Sequence, residues 1–356
     1  MDLMILATEL NGIGKLIYNG LYKWVLSWGN DYQLIGAFGI TVILFTLFLK
    51  LITLPFDVWQ KVLSRKNALK MEQMKPELDK INKQCGQNRE LLMVKQRELY
   101  KKYKYNAFSA CLPSLITIVI FFVVFSGFNS AVRHYNSTVF DNLYEIYHEA
   151  YDEAAELKKD EIADEDALDA YATGEAEKAV VEAYKPERFL LTKNIFMPDS
   201  WKSPIPDIST YSGTGIGKLG IPNADREDYN MVMSPIIKKY NVNENGKKVW
   251  NGYLILPIIS LALSVLSTKL IKAPETPQMA GQTEEQLKAQ QAQAKMMSYF
   301  MPLMMGVLTL FYSTAFALYM VVSSLFTTLF NLGFNIVSKR IDTKRKDMIL
   351  STTIKK

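Results

Sequence analysis

Apolar residues are gathered into five blocks along the chain, and strongly polar segments separate them. The blocks occupy residues 34–56, 109–132, 252–271, 297–312 and 317–338. Most of them approach the roughly 20 residues that an α-helix needs to cross a bilayer. The pattern predicts an all-α polytopic membrane protein with five transmembrane helices. The fourth block is the shortest, so we expect its helix to tilt little.

The polar segments have helical features of their own. In residues 1–33, Ile13, Ile17 and Leu21 recur at helical spacing, which predicts an amphipathic helix in the membrane interface and no cleaved signal. The pattern over residues 57–108 predicts a helical hairpin whose first helix ends near Cys85. Residues 133–251 are expected to form an enlarged domain that is largely helical in its first part and rich in loops in its second. We expect residues 272–296 to be a loop between spans and residues 339–356 to be a tail.

The distribution of charge predicts the orientation of the spans. Residues 57–107 carry 13 Lys and Arg against 6 Asp and Glu, and residues 339–356 carry 7 against 2. Residues 133–250 are acidic, with 14 Lys and Arg against 22 Asp and Glu. Because lysine and arginine beside spans favour the cytoplasm, the hairpin, the loop and the tail should be cytoplasmic. The N-terminus and the acidic domain should then be exterior.

The overall composition hides this division. The net charge of +5 averages an acidic exterior and a basic interior, so it says little about partners. The two cysteines, Cys85 and Cys111, both precede residue 133, so the acidic domain has no disulfide framework. We expect packing alone to stabilise it.

Lys50 is the most informative residue, because it lies inside the first apolar block. A charge at the centre of a span costs roughly 2.5–3.5 kcal/mol on insertion scales, so it usually faces a polar cavity. Thr46, Thr53 and Asp57 share its helix face. The alternative is snorkelling, since Lys50 lies about 9 Å from the cytoplasmic end of the span. Further hydroxyls could line the cavity from the second and fifth spans: Ser114, Thr117, Ser323 and Thr327.

Several short motifs resemble the YidC-type membrane protein insertase family. They are Met74-Lys-Pro-Glu-Leu, Tyr103-Lys-Tyr-Asn, Cys111-Leu-Pro, the segment from Phe189 to Asp199, Leu256-Pro and Met296-Met-Ser-Tyr-Phe-Met-Pro. Their order and spacing carry the resemblance over residues 30–132, 189–201 and 252–340. The family usually has arginine at the position of Lys50, which changes the donor geometry from a planar fork to a point charge.

The resemblance implies an insertase that integrates nascent membrane proteins into the bilayer. A polar groove around Lys50 would open to the cytoplasm, and the third and fifth spans would form an apolar slide for the client. Nascent clients, the ribosome, the Sec translocon and the lipid bilayer are the implied partners, in the plasma membrane of a bacterium. Four residues are expected to belong to this apolar slide: Leu261, Val265, Met320 and Leu325.

The basic tail offers a second kind of contact. Clustered positive charge attracts ribosomal RNA or anionic lipid, and the simpler alternative is that it only enforces topology. No DNA partner is expected. The tail residues concerned are Lys339, Arg340, Lys344, Arg345 and Lys346.

The residues argue against enzymatic chemistry. The proposed spans contain no Asp or Glu, and the two histidines, His134 and His148, lack partners at metal-ligand spacing. Gly213, Gly215 and Gly217 before Lys218 superficially suggest a phosphate loop, but the following residue is leucine, so a flexible loop suffices. We expect no enzyme activity, cofactor or metal.

Two other classes of function remain open at this point. A small-solute transporter could use Lys50 as a substrate or proton site, although such folds usually have an internal repeat, which this chain lacks. A scaffold that recruits partners through its acidic exterior domain would lose function on deletion of that domain rather than on substitution of Lys50.

Overall fold

A computed structural model describes residues 9–29, 35–85, 88–105, 108–222, 225–270 and 284–354. The protein is 75% helical, and the described residues form isolated β-bridges rather than strands. The predicted all-α class is therefore confirmed. Eleven α-helices are described: α1 (Gly12–Lys15), α2 (Lys23–Leu26), α3 (Ala37–Cys85), α4 (Arg89–Lys102), α5 (Phe108–Lys158), α6 (Glu165–Ala183), α7 (Ile208–Tyr211), α8 (Arg226–Asn241), α9 (Ile255–Leu270), α10 (Glu284–Thr309) and α11 (Thr314–Ile354).

The chain divides into two compact units. The first comprises Met1–Thr46, Phe122–Ser260 and Gly306–Val322, and the second comprises Leu47–Phe121, Leu261–Met305 and Ser323–Lys356. Three of the described helices contain a segment long and apolar enough to cross a membrane, namely Ala37–Cys85, Ile118–Lys158 and Thr314–Arg340. The apolar helix Ile255–Leu270 is shorter. The polytopic class follows from these helices, and the count of five spans stays a prediction.

In the first unit, the N-terminal helical segment packs against α5. A π-helical turn, Leu16–Tyr22, joins α1 to α2. Asn11 donates from its backbone N–H to the hydroxyl of Ser130 at 3.0 Å. A Cβ atom at Gly127 would overlap Ile13, so the glycine permits the close approach of the two helices. Ile17 is completely buried, which uses the apolar face predicted from helical spacing.

The acidic region of the first unit contains more helix than the sequence pattern predicts. Helix α5 continues without interruption for 51 residues, from the second apolar block to Lys158. The stretch expected to be rich in loops contains α8, a helix of 16 residues with Pro235 inside it. Apolar side chains from α5, α6 and α8 form one core, including Leu143, Val180 and Tyr229.

Residues 187–201, which we call the capping segment, hold the N-termini of three helices within the first unit. The Glu187 carboxylate accepts hydrogen bonds from the backbone of Ala37 and Phe38 at the start of α3. It also accepts one from the Tyr22 hydroxyl at 2.8 Å. The first N–H groups of a helix have no intrahelical partner, so these contacts satisfy donors that would otherwise be unpaired.

The other two helices are held in the same way. At the start of α9, the Asp199 carboxylate accepts backbone N–H groups from Tyr253 at 2.8 Å, Leu254 at 3.0 Å and Leu256 at 2.8 Å. At the start of α11, the Thr314 backbone N–H donates to the carbonyl of Met197 at 2.8 Å. A negative charge or carbonyl at a helix N-terminus also complements the helix dipole.

The second unit contains a helical hairpin between the end of α3 and α4. Helix α3 runs through Pro55 and Pro76 before it ends at Cys85. Asn88 caps α4 by accepting the backbone N–H of Leu91 at 3.1 Å. Between the two helices, a small apolar core contains Met71, Met74, Leu78 and Leu99.

A polar clasp fastens the open end of the hairpin. The Lys102 ammonium lies 2.9 Å from the carboxylate of Glu77, and the Tyr103 hydroxyl donates to the same carboxylate at 2.6 Å. The hydrogen bonds from Lys102 and Tyr103 lower the pKa of Glu77. Since the ion pair is exposed, the apolar core is the main stabilising contact between α3 and α4.

Candidate functional site

Lys50 lies on α3 in the second unit, and its side chain is partly buried against α11. Its ammonium donates a hydrogen bond to the hydroxyl of Thr327 at 3.3 Å. That hydroxyl in turn donates to the backbone carbonyl of Ser323 at 2.8 Å, one helical turn earlier. The turn of α11 thus orients the threonine oxygen lone pairs toward the lysine. Two of the predicted groove residues, Lys50 and Thr327, are brought into direct contact.

Charged residues continue along α3 from Lys50. Asp57 interacts electrostatically with both Lys50 and Lys61. The three residues follow one another at spacings of seven and four, which places them along one helix face. The carboxylate lies between two cations, so it moderates the positive potential of this face without neutralising both lysines.

A second contact joins α3 and α11 further along the same unit. The Arg65 guanidinium donates to the backbone carbonyl of Ser338 at 3.4 Å. From Lys50 to Arg65 the chain advances in the same direction as from Thr327 to Ser338. Helices α3 and α11 therefore run parallel in the second unit.

The remaining predicted groove residues have different surroundings. Thr53 donates to the carbonyl of Lys50 at 3.4 Å, so its hydroxyl remains on the same stretch of α3. Thr46 is fully buried in the first unit and donates to the carbonyl of Val42 at 2.6 Å. The side chains of Ser114 and Thr117 lie outside the described residues. The role of these residues in a groove stays a prediction.

A ladder of polar contacts between α9 and α11 was not foreseen from the sequence. The hydroxyls of Ser264 and Ser324 are 3.0 Å apart, and Asn331 donates to the Ser267 hydroxyl at 3.0 Å. Asn335 donates to the carbonyl of Leu270 at 2.9 Å. Serine, threonine and asparagine commonly join packed helices in membranes. The signal in the sequence is their recurrence at spacings of three and four along both helices.

The second unit also exposes large apolar side chains. On α11, Leu325 is 46% and Leu329 is 60% exposed, whereas Leu261 and Val265 on α9 are half-buried. Met320, the fourth residue predicted for an apolar slide, belongs to the first unit and is buried. The available apolar surface of α11 thus lies at Leu325 and beyond. Its use by a client stays a prediction.

Of the basic tail, Lys339 and Arg340 are exposed near the end of the described side chains. The side chains of Lys344, Arg345 and Lys346 lie outside the described residues. Within the described part of the chain, no group of three His, Cys, Asp or Glu side chains comes close enough to hold a metal ion.

Long apolar helices, a lysine inside one of them and parallel helices joined by polar ladders define a multi-pass α-helical membrane protein. A family described as the 60Kd inner membrane protein matches residues 30–341. The chain belongs to this family, the YidC/Oxa1 family, which confirms the resemblance found from the sequence motifs.

Curated relatives with the name membrane protein insertase YidC match shorter parts of the chain. The relative from Fusobacterium nucleatum is 34% identical over 117 residues, covering 33% of this chain and 55% of its own length. The relative from Dinoroseobacter shibae is 38% identical over 92 residues, covering 26% of this chain and 14% of its own length.

A third relative, from Caldanaerobacter subterraneus subsp. tengcongensis, is 28% identical over 95 residues, covering 27% of this chain and 44% of its own length. The matched segments therefore span about half the length of these relatives or less. The insertase function stated in these names is a statement about the relatives themselves.

Proposed function

We propose that this protein is a membrane protein insertase, which integrates nascent membrane proteins into the bilayer without covalent chemistry or a nucleotide cofactor. The observation that carries the proposal is the partly buried ammonium of Lys50 on the hydroxyl of Thr327. The name of the curated relatives, membrane protein insertase, supports the same function.

The Lys50 ammonium has unused capacity to bind a client. An ammonium carries three N–H donors. Within the described residues it has one hydrogen-bond acceptor, the Thr327 hydroxyl at 3.3 Å. The remaining donors can bind carbonyl groups or an acidic side chain in the short hydrophilic tail of a client. The tail would then cross part of the bilayer next to a positive charge rather than next to hydrocarbon.

The positive potential at Lys50 selects the charge of the tail. Two unit charges 4 Å apart interact by about 4 kcal/mol at an effective dielectric constant near 20, against about 1 kcal/mol in water. Asp57 lowers this potential on the side of α3 that leads toward the hairpin. A tail with acidic or neutral residues should therefore enter more readily than a basic one.

An apolar surface next to the groove would guide the client span into lipid. Leu325 and Leu329 are exposed on α11, the helix that contacts Lys50, and Leu261 and Val265 lie on α9, which the polar ladder joins to α11. A span that leaves the groove along these helices exchanges one apolar contact for another. The exit therefore requires no external energy source.

The orientation and the partners belong to the same proposal. The excess of lysine and arginine in residues 57–107 and 339–356 supports an exterior N-terminus and a cytoplasmic C-terminus in a bacterial plasma membrane. The groove would then open to the cytoplasm, where clients emerge from the ribosome or the Sec translocon. The basic tail would contact ribosomal RNA or anionic lipid.

Insertion into proteoliposomes tests the proposal. The purified full chain is reconstituted, and the client is a single-span protein with a short acidic tail whose arrival in the lumen is scored by protease protection. We expect Lys50→Arg to retain insertion, because arginine keeps the positive charge that attracts the tail. Lys50→Ala removes that charge and should reduce insertion about tenfold, and Lys50→Glu reverses it and should abolish insertion.

The control variant is Lys66→Ala, which removes an exposed lysine from the same helix. It should insert the client as well as the wild-type protein does. Equal insertion by all the Lys50 variants would mean that Lys50 only snorkels to the membrane surface. Failure of the wild-type protein to insert any client would refute the proposed function.

A further inference from the structure

A glycine-rich loop in the first unit, residues 213–220, lies among three cationic side chains. The Lys202 ammonium donates to the carbonyl of Gly217 at 3.4 Å. A Cβ atom placed on Gly220 would lie 3.4 Å from the guanidinium of Arg133. Lys218 belongs to the loop itself. Gly217 and Gly220 have φ values of +76° and +64°, which glycine adopts without strain. Because glycine has no Cβ atom, the cationic side chains can also approach the loop backbone closely.

Two of the cations, Lys202 and Lys218, lie close enough to repel each other. Burial lowers the pKa of Lys202 and the neighbouring Lys218 lowers it further, while Asp207 opposes the shift. The Lys218 ammonium donates to the hydroxyl of Ser209 at 3.2 Å, and Asp207 also accepts the backbone N–H of Thr210. Asp207 thus offsets part of the charge of the two lysines. A bound anion would relieve the repulsion between the cations.

Large apolar side chains are exposed around the same loop. Trp201 precedes Lys202 and is 60% exposed, and Ile216 within the loop is 67% exposed. The carbonyl of Phe311 would lie 3.2 Å from a Cβ atom on Gly217, and the Phe311 ring is also exposed. Tryptophan and other apolar side chains next to cations are typical of a membrane–water interface.

If the five predicted spans cross the membrane, the position along the chain puts this loop at the membrane surface. Arg133 directly follows the second apolar block, which ends at residue 132, and Phe311 lies at the end of the fourth block. The backbone of Asn251 donates to the carbonyl of Lys202 at 2.7 Å. Trp250 and Tyr253, two exposed aromatic residues just before α9, therefore lie close in the chain to the residue that contacts Lys202.

We propose that residues 213–220, together with Arg133 and Lys202, bind the phosphate of an anionic phospholipid in the leaflet that faces the acidic domain. Three cations match the headgroup phosphate, while Trp201 and Ile216 enter the interface beside it. The surrounding segment is acidic overall, with 14 Lys and Arg against 22 Asp and Glu over residues 133–250, so its general charge would repel such lipids. The proposal requires that the helices span a membrane and is independent of insertion activity.

Thermal unfolding of the purified full chain in neutral detergent tests the proposal. Three probes are compared: dioleoylphosphatidylglycerol, dioleoylphosphatidylcholine and inorganic phosphate at the same phosphate concentration. A ligand that binds the folded state raises Tm, and at a given concentration a tighter ligand raises it more, because the stabilisation grows with the logarithm of the ligand concentration divided by Kd. We expect phosphatidylglycerol to raise Tm most. In the double variant Lys202→Gln and Lys218→Gln, its apparent affinity should fall about tenfold.

The matched control is the double variant Lys247→Gln and Lys248→Gln. It removes the same charge from an exposed turn of the acidic domain and should retain the phosphatidylglycerol shift. Equal losses in both double variants would mean that net charge alone attracts the lipid and would overturn the proposal. Equal stabilisation by inorganic phosphate would identify a site for a soluble anion, and equal stabilisation by phosphatidylcholine would leave the cations without a role. Either result would also overturn it.

A spectroscopic measurement covers the case in which the glutamine variant folds poorly. In vesicles that contain phosphatidylglycerol, the fluorescence lost on Trp201→Phe reports this tryptophan alone. We expect it to be quenched more by lipids brominated near the carbonyl end of the acyl chain than by lipids brominated at the chain terminus. The variant Lys202→Arg with Lys218→Arg should keep both the quenching and the Tm shift. A tryptophan that no brominated lipid quenches would refute the proposal.

Discussion

In the first unit, the buried side chain of Asn251 takes part in four hydrogen bonds to the backbone of the capping segment, and Asp199 accepts three. In the second unit, the ammonium of Lys50 has one hydrogen bond among the residues that the structure describes, to Thr327 at 3.3 Å. Both regions contain polar groups shielded from bulk water, which is costly unless the groups are paired. The number of partners therefore separates a structural polar residue from one that can still bind a ligand.

The capping segment connects chain regions that are far apart. Contacts such as Asn251 with Asn194 and Thr314 with Met197 join residues separated by 57 and 117 positions. Every polar atom of Asn251 finds a partner in a fixed place, so its network stabilises one conformation. Lys50 makes a weaker contact with a hydroxyl that already donates elsewhere. Such an interaction can be exchanged for a client at small cost.

The largest expected effect is on the capping segment. Asn251→Ala should lower the free energy of unfolding by about 3 kcal/mol, because it leaves the buried backbone N–H of Asn194 and the carbonyl of Pro198 without their partner. Chemical denaturation in detergent measures this loss. The control, Asn243→Ala, removes an asparagine from an exposed turn and should cost less than about 1 kcal/mol, since water replaces its contacts. Equal losses would remove the distinction between the two sites.

Lys50→Met should change the stability little and reduce client insertion strongly. The substitution removes a partly buried charge while keeping a long apolar side chain, so the free energy of unfolding should stay within about 1 kcal/mol of the wild-type value. Client insertion should fall strongly in the same preparation. A variant that unfolds as readily as Asn251→Ala would indicate that Lys50 is primarily a structural residue.

Two neighbouring threonines on α11 sharpen the comparison. Thr327 accepts from Lys50, whereas the buried hydroxyl of Thr328 donates to the carbonyl of Leu263 on α9 at 3.4 Å. Valine has nearly the same shape as threonine without the hydroxyl. We expect Thr327→Val to reduce insertion several-fold with little change in stability. Thr328→Val should instead cost about 0.5–1 kcal/mol of stability and spare insertion.

Proteoliposome insertion and denaturation in detergent, performed on both valine variants, give the two readouts. The expected pattern is a crossed one, in which each variant affects a different measurement. If both variants reduce insertion and stability equally, α11 acts as one packed unit, and the contact of Thr327 with Lys50 has no separate role.

The smallest expected effect is a pH dependence at Glu187. Burial raises the pKa of its carboxyl above the ordinary value of 4.5, while the Tyr22 hydroxyl and the backbone of Phe38 and Ala37 oppose the shift. The folded protein then holds the proton more tightly than the unfolded chain. This contribution to stability is complete below pH 4.5 and is lost as pH rises through the folded-state pKa.

Glu187→Gln removes this titration. The Tm of the wild-type protein minus that of the variant should therefore decrease, by about 2 °C, as pH is raised from 4 toward neutrality. Differential scanning of both proteins over that range measures it. A difference that stays constant or grows with pH would mean that hydrogen bonds to the charged carboxylate outweigh its burial.

The sequence by itself determined the helical class, the family and the polar face of α3, because these depend on local spacing. Apolar blocks predict helices wherever they occur, and the spacing of Thr53, Lys50 and Asp57 places them on one face regardless of what packs against it. The family motifs likewise depend on residue order. The sequence also named Thr327 as a groove residue, which stays a prediction; the structure adds its contact with Lys50 at 3.3 Å.

Only the tertiary structure decided which polar residues have several hydrogen-bond partners among the described residues and which have one. The sequence does not reveal that Glu187 and Asp199 cap helices that begin far along the chain, or that α5 continues through the acidic domain. From the sequence, Lys218 is the one cation that can be assigned to the loop at residues 213–220. Arg133 and Lys202 reach this loop only through folding, since a hydrogen bond or an electrostatic contact depends on distances in space that residue spacing cannot supply over such separations.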